Sequence, residues 1–249
     1  MELHVLGSNG TYPTAGHPAS GYVVSGGGTT VMLDAGPGTI AALQEADRLG
    51  DVDAVVISHI HPDHCSDLYA LFNVHRYGPG GRRGIPLFVP DGAAGHLAGF
   101  VRAGQGHDLF SVFDFRTVGS GDRDEVGDLS LAFGDANHSV PGLVTAVEHD
   151  GRRLTYTGDT GPGGDTVAMS RAAALLLCEA TYQGPPDSER WPYHLLASEA
   201  GEIAAEADVE RLVLTHVFPT LDPQQSIAEA SEHYAGPVSW AAPGWETTV

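Results

Sequence analysis

The segment SHIHPDHCSD, residues 58–67, puts three histidines and two aspartates into ten positions directly behind the apolar run AVVI. A buried strand that opens into a loop suits such side chains, because the strand fixes the backbone while the loop splays them. His59 and His61 are two residues apart and share one side of an extended chain. Pro62 stiffens the turn, and Asp63 and His64 follow as the chain enters a helix. Imidazole and carboxylate suit zinc, iron or manganese, depending on geometry. Four such groups exceed the needs of one ion with an open position, so the pattern reads as part of a site for two ions. Three more candidates each stand at the end of an apolar run: His138 in FGDANHS, Asp159 in LTYTGDT and His216 in RLVLTHVFP.

The remaining chain is consistent with a layered fold. Its 249 residues, 42% of them hydrophobic, suffice for one core, and residues 1–249 are expected to form a single domain. Short β-rich runs recur at 3–6, 21–25, 30–33, 54–57, 86–89, 112–118, 129–133, 174–177, 212–214 and 238–240. Two further runs flank Asp150-Gly151, a tight-turn signal. Helical patterns lie at 39–48, 68–77, 198–207 and 225–234, with Ser198 as the expected N-cap of the third. This mixture predicts an α/β fold of mixed sheets covered by helices. The Gly-rich loop 78–84 carries Arg82 and Arg83 and reads as solvated.

Twelve basic against 32 acidic residues give a formal charge of −20. Nucleic-acid affinity rests mainly on phosphate neutralisation by Lys and Arg, so a long nucleic acid is not an expected partner, whereas divalent cations are attracted. Cys65 and Cys178 stand outside any paired motif and imply no disulfide framework. With no secretory leader and no apolar run of about 20 residues, the expected setting is the cytoplasm.

The motif HIHPDH, with the spacing to His138, Asp159 and His216, resembles the metallo-β-lactamase superfamily across essentially residues 1–240. The resemblance implies a four-layer αββα sandwich of two mixed sheets flanked by helices, with two divalent ions at one edge. Zinc is the first expectation, manganese or iron the alternatives. Carried over by motif, His59, His61 and His138 hold one ion, Asp63, His64 and His216 the other, and Asp159 bridges them. Asp34 and Asp67 are the carboxylates expected to hold the metal-bound imidazoles.

The stretch YHLLASEAGEIAAEADVERLVLTHVFP is similar to the ribonuclease Z-like and cyclic-nucleotide phosphodiesterase branch, as are GSNGTYPTAGHPASGYVV and the LCEATY around Glu179. In that branch a histidine at a helix start, here His194, contacts phosphate or protonates the leaving group. Members that process tRNA carry a long arm between the third His motif and the bridging Asp. Here the Asp150-Gly151 hairpin fills that interval, so tRNA 3′ processing is not expected. The implied activity is metal-dependent hydrolysis of small phosphodiesters such as cyclic nucleotides, with Asp63 orienting the nucleophile and His194 assisting the leaving group. Trp191, Pro192 and Tyr193, just before His194, either wall the substrate pocket or pack as a loop. A lactonase, thioesterase or natural-product hydrolase on the same ligands is the rival reading, and metal binding without catalysis a weaker one. Relatives in the branch form homodimers, which sets the same expectation here.

Overall fold

A computed structural model of the chain describes residues 1–100, 106–187 and 190–249. Two seven-stranded sheets lie face to face. The first contains β1 (Glu2–Gly7), β2 (Gly21–Gly26), β3 (Thr29–Leu33), β4 (Ala54–Val56), β5 (Ile85–Val89) and β6 (Phe113–Thr117). The second contains β7 (Arg123–Val126), β8 (Leu129–Asp135), β9 (Leu143–His149), β10 (Arg152–Tyr156), β11 (Leu175–Glu179), β12 (Leu212–Thr215) and β13 (Val238–Trp240). The last strand, β14 (Glu246–Thr248), returns to the first sheet beside β1. Both sheets are mixed: β3 to β6 run parallel, as do β10 to β13, and the remaining neighbours are antiparallel.

Alternation along the strands builds the layers. Leu3, Val24, Leu33 and Val56 point inward to meet Leu131, Val147, Leu154 and Leu177 of the opposite sheet. Their neighbours Val23, Met32 and Val55 point outward, beneath α1 (Thr39–Glu45), α3 (Leu68–Tyr77), α4 (Ala93–Phe100) and α5 (Gly106–Val112). On the other side Leu176, Cys178, Leu212 and Leu214 lie beneath α7 (Ala197–Glu206) and α8 (Pro223–Ser231). Strands covered on both faces read as continuous apolar runs, which is why they are visible in the sequence. The architecture is therefore the expected αββα sandwich. Two short helices, α2 (Pro62–Cys65) and α6 (Thr166–Ser170), complete the elements of the described residues.

Near one edge the sheets are joined by polar contacts through the core. The Tyr22 and Tyr156 rings lie 5.0 Å apart. The Tyr22 hydroxyl bonds Thr215 Oγ1 at 2.5 Å, and the Tyr156 hydroxyl donates to Asp34 Oδ2 at 2.6 Å. These bonds tie the strand ends that carry the candidate ligands.

Three local readings need correction. Ser198 does not cap α7: the helix begins at Ala197 behind Leu196, whose N–H donates to Glu199 at 2.8 Å. An acid three residues into the helix thus accepts the amide of the N-cap residue itself, which is the Glu half of a capping box. The first helix ends at Glu45 rather than residue 48, because Asp47 adopts a φ of 56°. β7 and β14 are strands that the apolar pattern does not reveal. The hairpin at Asp150 and Gly151 is as expected, with φ of 50° and 73°, as a primed two-residue turn requires.

Candidate metal centre

The candidate ligands all sit at the ends of strands on one edge of the sandwich. β4 leads into Ser58, His59 and His61, and α2 then carries Asp63 and His64. His138 follows β8, Asp159 follows β10 and His216 follows β12. The structure brings all seven together in two groups: His59, His61, His138 and Asp159, and Asp63, His64, Asp159 and His216. Within each group one donor atom per residue lies within 4.8 Å of every other. In the first group His59 Nε2 and His138 Nε2 lie 3.0 and 3.1 Å from His61 Nδ1. In the second, Asp63 Oδ2 lies 3.2 Å from His216 Nε2. Asp159 belongs to both: Oδ2 is 3.6 Å from His59 Nε2, while Oδ1 is 3.2 Å from His64 Nε2 and 3.3 Å from His216 Nε2.

The outward ring nitrogens explain how the imidazoles are aimed. His64 Nδ1 donates to Asp34 Oδ2 at 2.7 Å. Ser58 Oγ donates to the same oxygen, so it accepts from His59 Nδ1 at 3.1 Å. Across the site Thr181 Oγ1 donates to Glu179 Oε2 and accepts from His216 Nδ1 at 2.8 Å. His138 Nδ1 donates to the Tyr193 carbonyl at 3.0 Å. Each bond engages Nδ1 and turns Nε2 toward the centre. Asp34 and Glu179, both fully buried, thus anchor one side each. Asp67 does not touch an imidazole: it accepts the Gly38 and Ile40 amides at 2.9 and 3.0 Å and holds the start of α1.

The donor set fits divalent cations. Burial holds His59, His61 and His138 below the usual histidine range, so these rings are neutral bases, the form a metal requires. Burial disfavours the charge on Asp63 and Asp159, but neighbouring histidines, His64 foremost for Asp63 and His216 for Asp159, outweigh it and keep both carboxyls ionised. His64 is likewise penalised by burial, yet Asp159, Asp34 and Asp63 lift its pKa well above the histidine range. Its Nε2 and Asp159 Oδ1 are nevertheless buried without a hydrogen-bond partner, although they lie 3.2 Å apart. A cation between them satisfies both, and offsets a desolvation cost that the protein otherwise carries.

His194 completes the site. It is 7% exposed, and its Nδ1 donates to Glu179 Oε1 at 3.0 Å. Its ring stacks on His216 at 5.5 Å and 11°. Burial works against its charge, but the Glu179 carboxylate outweighs burial and raises its pKa. Thr11 N–H donates to Asp63 Oδ2 at 2.8 Å, bringing the loop after β1 to the second group. A cleft of about 510 Å³ opens beside His138, bounded by Pro90, Asp91, Asp135 and Ser139. Arg82 lies elsewhere, on Asp53 and the Val52 carbonyl.

Sequence reasoning passed over four groups that shape the centre: Ser58, Tyr156 and Thr181, and Glu179 in its role toward His194. Glu179 carried the same signal as the ligands, an acid closing the apolar run LLLC. The other three are neutral hydroxyls whose use depends on a partner from another strand.

Comparison with known proteins gives a consistent picture. Residues 29–217 match the Beta-lactamase superfamily domain. An uncharacterised protein of Mycobacterium leprae is 35% identical over 96% of this chain and 85% of its own length. Ribonuclease Z of Methanopyrus kandleri is 28% identical over 93% of this chain and 92% of its own. Among solved structures, the metallo-beta-lactamase fold protein YhfI from Bacillus subtilis superposes with a TM-score of 0.87 at 23% identity, covering 99% of each chain.

Proposed function

The chain belongs to the beta-lactamase superfamily, and on that premise we propose that it is a two-metal hydrolase of small phosphodiesters, cyclic nucleotides being the leading class. The observation that carries this reading is His194: buried, hydrogen-bonded to Glu179 and stacked on His216 beside both ligand groups. Its Nδ1 is committed to Glu179, so Nε2 is the atom free to deliver a proton. An ester of phosphoric acid with a poor alkoxide leaving group needs such a proton.

His59, His61, His138 and Asp159 would hold one ion, and Asp63, His64, His216 and Asp159 the other, with zinc favoured by the imidazole-rich donors. Two divalent ions supply Lewis acidity toward the phosphoryl oxygens and lower the pKa of water toward neutrality. Asp63, held by the Thr11 amide, orients the attacking water from its carboxylate. His194 donates from Nε2 to the departing oxygen, and Glu179 steadies the imidazolium before the transfer. The ribonuclease Z relative supports phosphodiester chemistry. The two-residue turn at Asp150 and Gly151 and the charge of −20 favour a small substrate over tRNA. A cytoplasmic setting and a homodimer belong to the same proposal. Both cysteines are buried and free, as suits a reducing compartment, and sedimentation equilibrium reads the dimer directly. None of the described helices is long and apolar enough to cross a membrane.

The test is turnover by metal-loaded protein of bis(p-nitrophenyl) phosphate and of nucleoside cyclic phosphates, beside lactones and thioesters. His194→Ala is expected to lower kcat on the cyclic phosphates by roughly 100-fold or more. Turnover of lactones or thioesters without turnover of any phosphodiester overturns the reading.

A further inference from the structure

Trp191 stands out among the described residues as a large apolar side chain left 45% exposed at the centre itself. Its ring lies 5.3 Å from His194, 5.7 Å from His138 and 6.4 Å from His61, the last at 30°. The indole therefore packs on the three imidazoles and, 5.5 Å away, on the Tyr193 ring, and still leaves nearly half of its surface to solvent. The exposure does not come from a loose tether. The Tyr193 carbonyl is held by His138 Nδ1. The Pro192 carbonyl sits so close to Gly161 that a Cβ there would lie 2.0 Å away. The Tyr182 hydroxyl is hydrogen-bonded to the Trp191 backbone.

A held, partly exposed indole beside the centre suits stacking, and stacking tolerates any planar ring while requiring that there be one. The charge next door narrows the ligand further. Arg190 is bound at both terminal nitrogens by Glu199, at 2.8 and 2.5 Å, so this cation is already engaged. The cleft beside His138 presents Asp91 and Asp135. Recognition on this side rests on ring contact rather than on further phosphate contacts.

We propose that Trp191 is a specificity-determining residue that stacks on the nucleobase of a phosphoester whose phosphate occupies the two-metal centre. The assignment rests on the phosphoester reading for the class of ligand and adds the demand for a base.

The test is calorimetric binding of adenosine 5′-monophosphate and of ribose 5-phosphate to metal-loaded protein, with metal content verified for every variant. The two ligands share the phosphate and sugar and differ in the base. Wild type is expected to bind the base-bearing ligand roughly 10- to 100-fold more tightly. Trp191→Leu brings the ratio of the two dissociation constants close to one, and Trp191→Phe keeps most of it. Equal binding of both ligands by wild type, absence of binding by either, or an unchanged ratio in Trp191→Leu overturns the proposal. Base preference that vanishes in Trp191→Leu, in a protein that turns over no phosphodiester, retains the platform and removes the phosphodiesterase activity. Turnover of cyclic phosphates with no base preference does the reverse.

Discussion

Asp34 shows how much of the centre depends on single atoms. Its Oδ2 accepts from His64 Nδ1, Ser58 Oγ and the Tyr156 hydroxyl, while Oδ1 takes the Ser58 amide. Asparagine must present an NH₂ group to one of these sets of donors, and the three at Oδ2 cannot all turn round. The NH₂ group is then set against the Ser58 N–H, which pushes the carboxamide away from the His64 ring it supports. Asp34→Asn is expected to weaken metal binding by roughly 10- to 100-fold, the usual scale for losing such a support, as read by competition with a chromophoric chelator. Unchanged affinity would show that the ring needs no anchor. Glu179 offers a second single-atom prediction. Its carboxylate favours the protonated form of His194, and a general acid works only while protonated. Activity therefore falls as pH rises through the His194 pKa. Glu179→Gln removes the favouring charge, lowers that pKa and moves the alkaline limb of the kcat profile to lower pH. A limb that stays in place would assign the titration to another group.

Strands and turns decide where these atoms go. The parallel runs β3 to β6 and β10 to β13 bring strand ends to one edge, so Asp34, His59, Asp159, Glu179 and His216 meet although they are far apart in the chain. The turn after β3 must also pass close under α2: a Cβ on Gly36 would lie 2.0 Å from the Asp63 carbonyl. Backbone cannot yield as a flexible side chain can, so Gly36→Ala should displace Asp63, with overpacking of roughly 1–3 kcal/mol. Denaturant unfolding of the metal-free protein measures that loss, and wild-type stability would contradict the packing described. Much of this level was legible. Buried strands such as TTVML and LLLCE declare themselves because both faces are covered. β7 did not, since Arg123, Asp124 and Glu125 form an edge strand with one buried residue, Val126. β14 is three residues long and exists through its pairing with β1. Asp67 was misread for a related reason: position beside the histidines says nothing of which amides its side chain reaches.

At the scale of the whole molecule, the chain is a strongly acidic sandwich, at −20, with its seven candidate ligands gathered at one edge. The charge discourages long nucleic acids and draws divalent cations, in keeping with a small phosphoester on a two-ion site. The seven candidate ligands could be read from sequence because four crowd into HIHPDH and the other three each follow an apolar run. The sharing of Asp159 between two groups came only with the family resemblance, because position along the chain does not show it and it depends on the register of both sheets. That sharing is the central claim, and one titration addresses it. Metal-free protein is given increasing zinc or manganese, and hydrolysis of bis(p-nitrophenyl) phosphate is followed against equivalents added per chain. The account predicts activity that climbs to two equivalents and then levels. A plateau at one equivalent, or two bound ions with no phosphodiester cleaved, would contradict it.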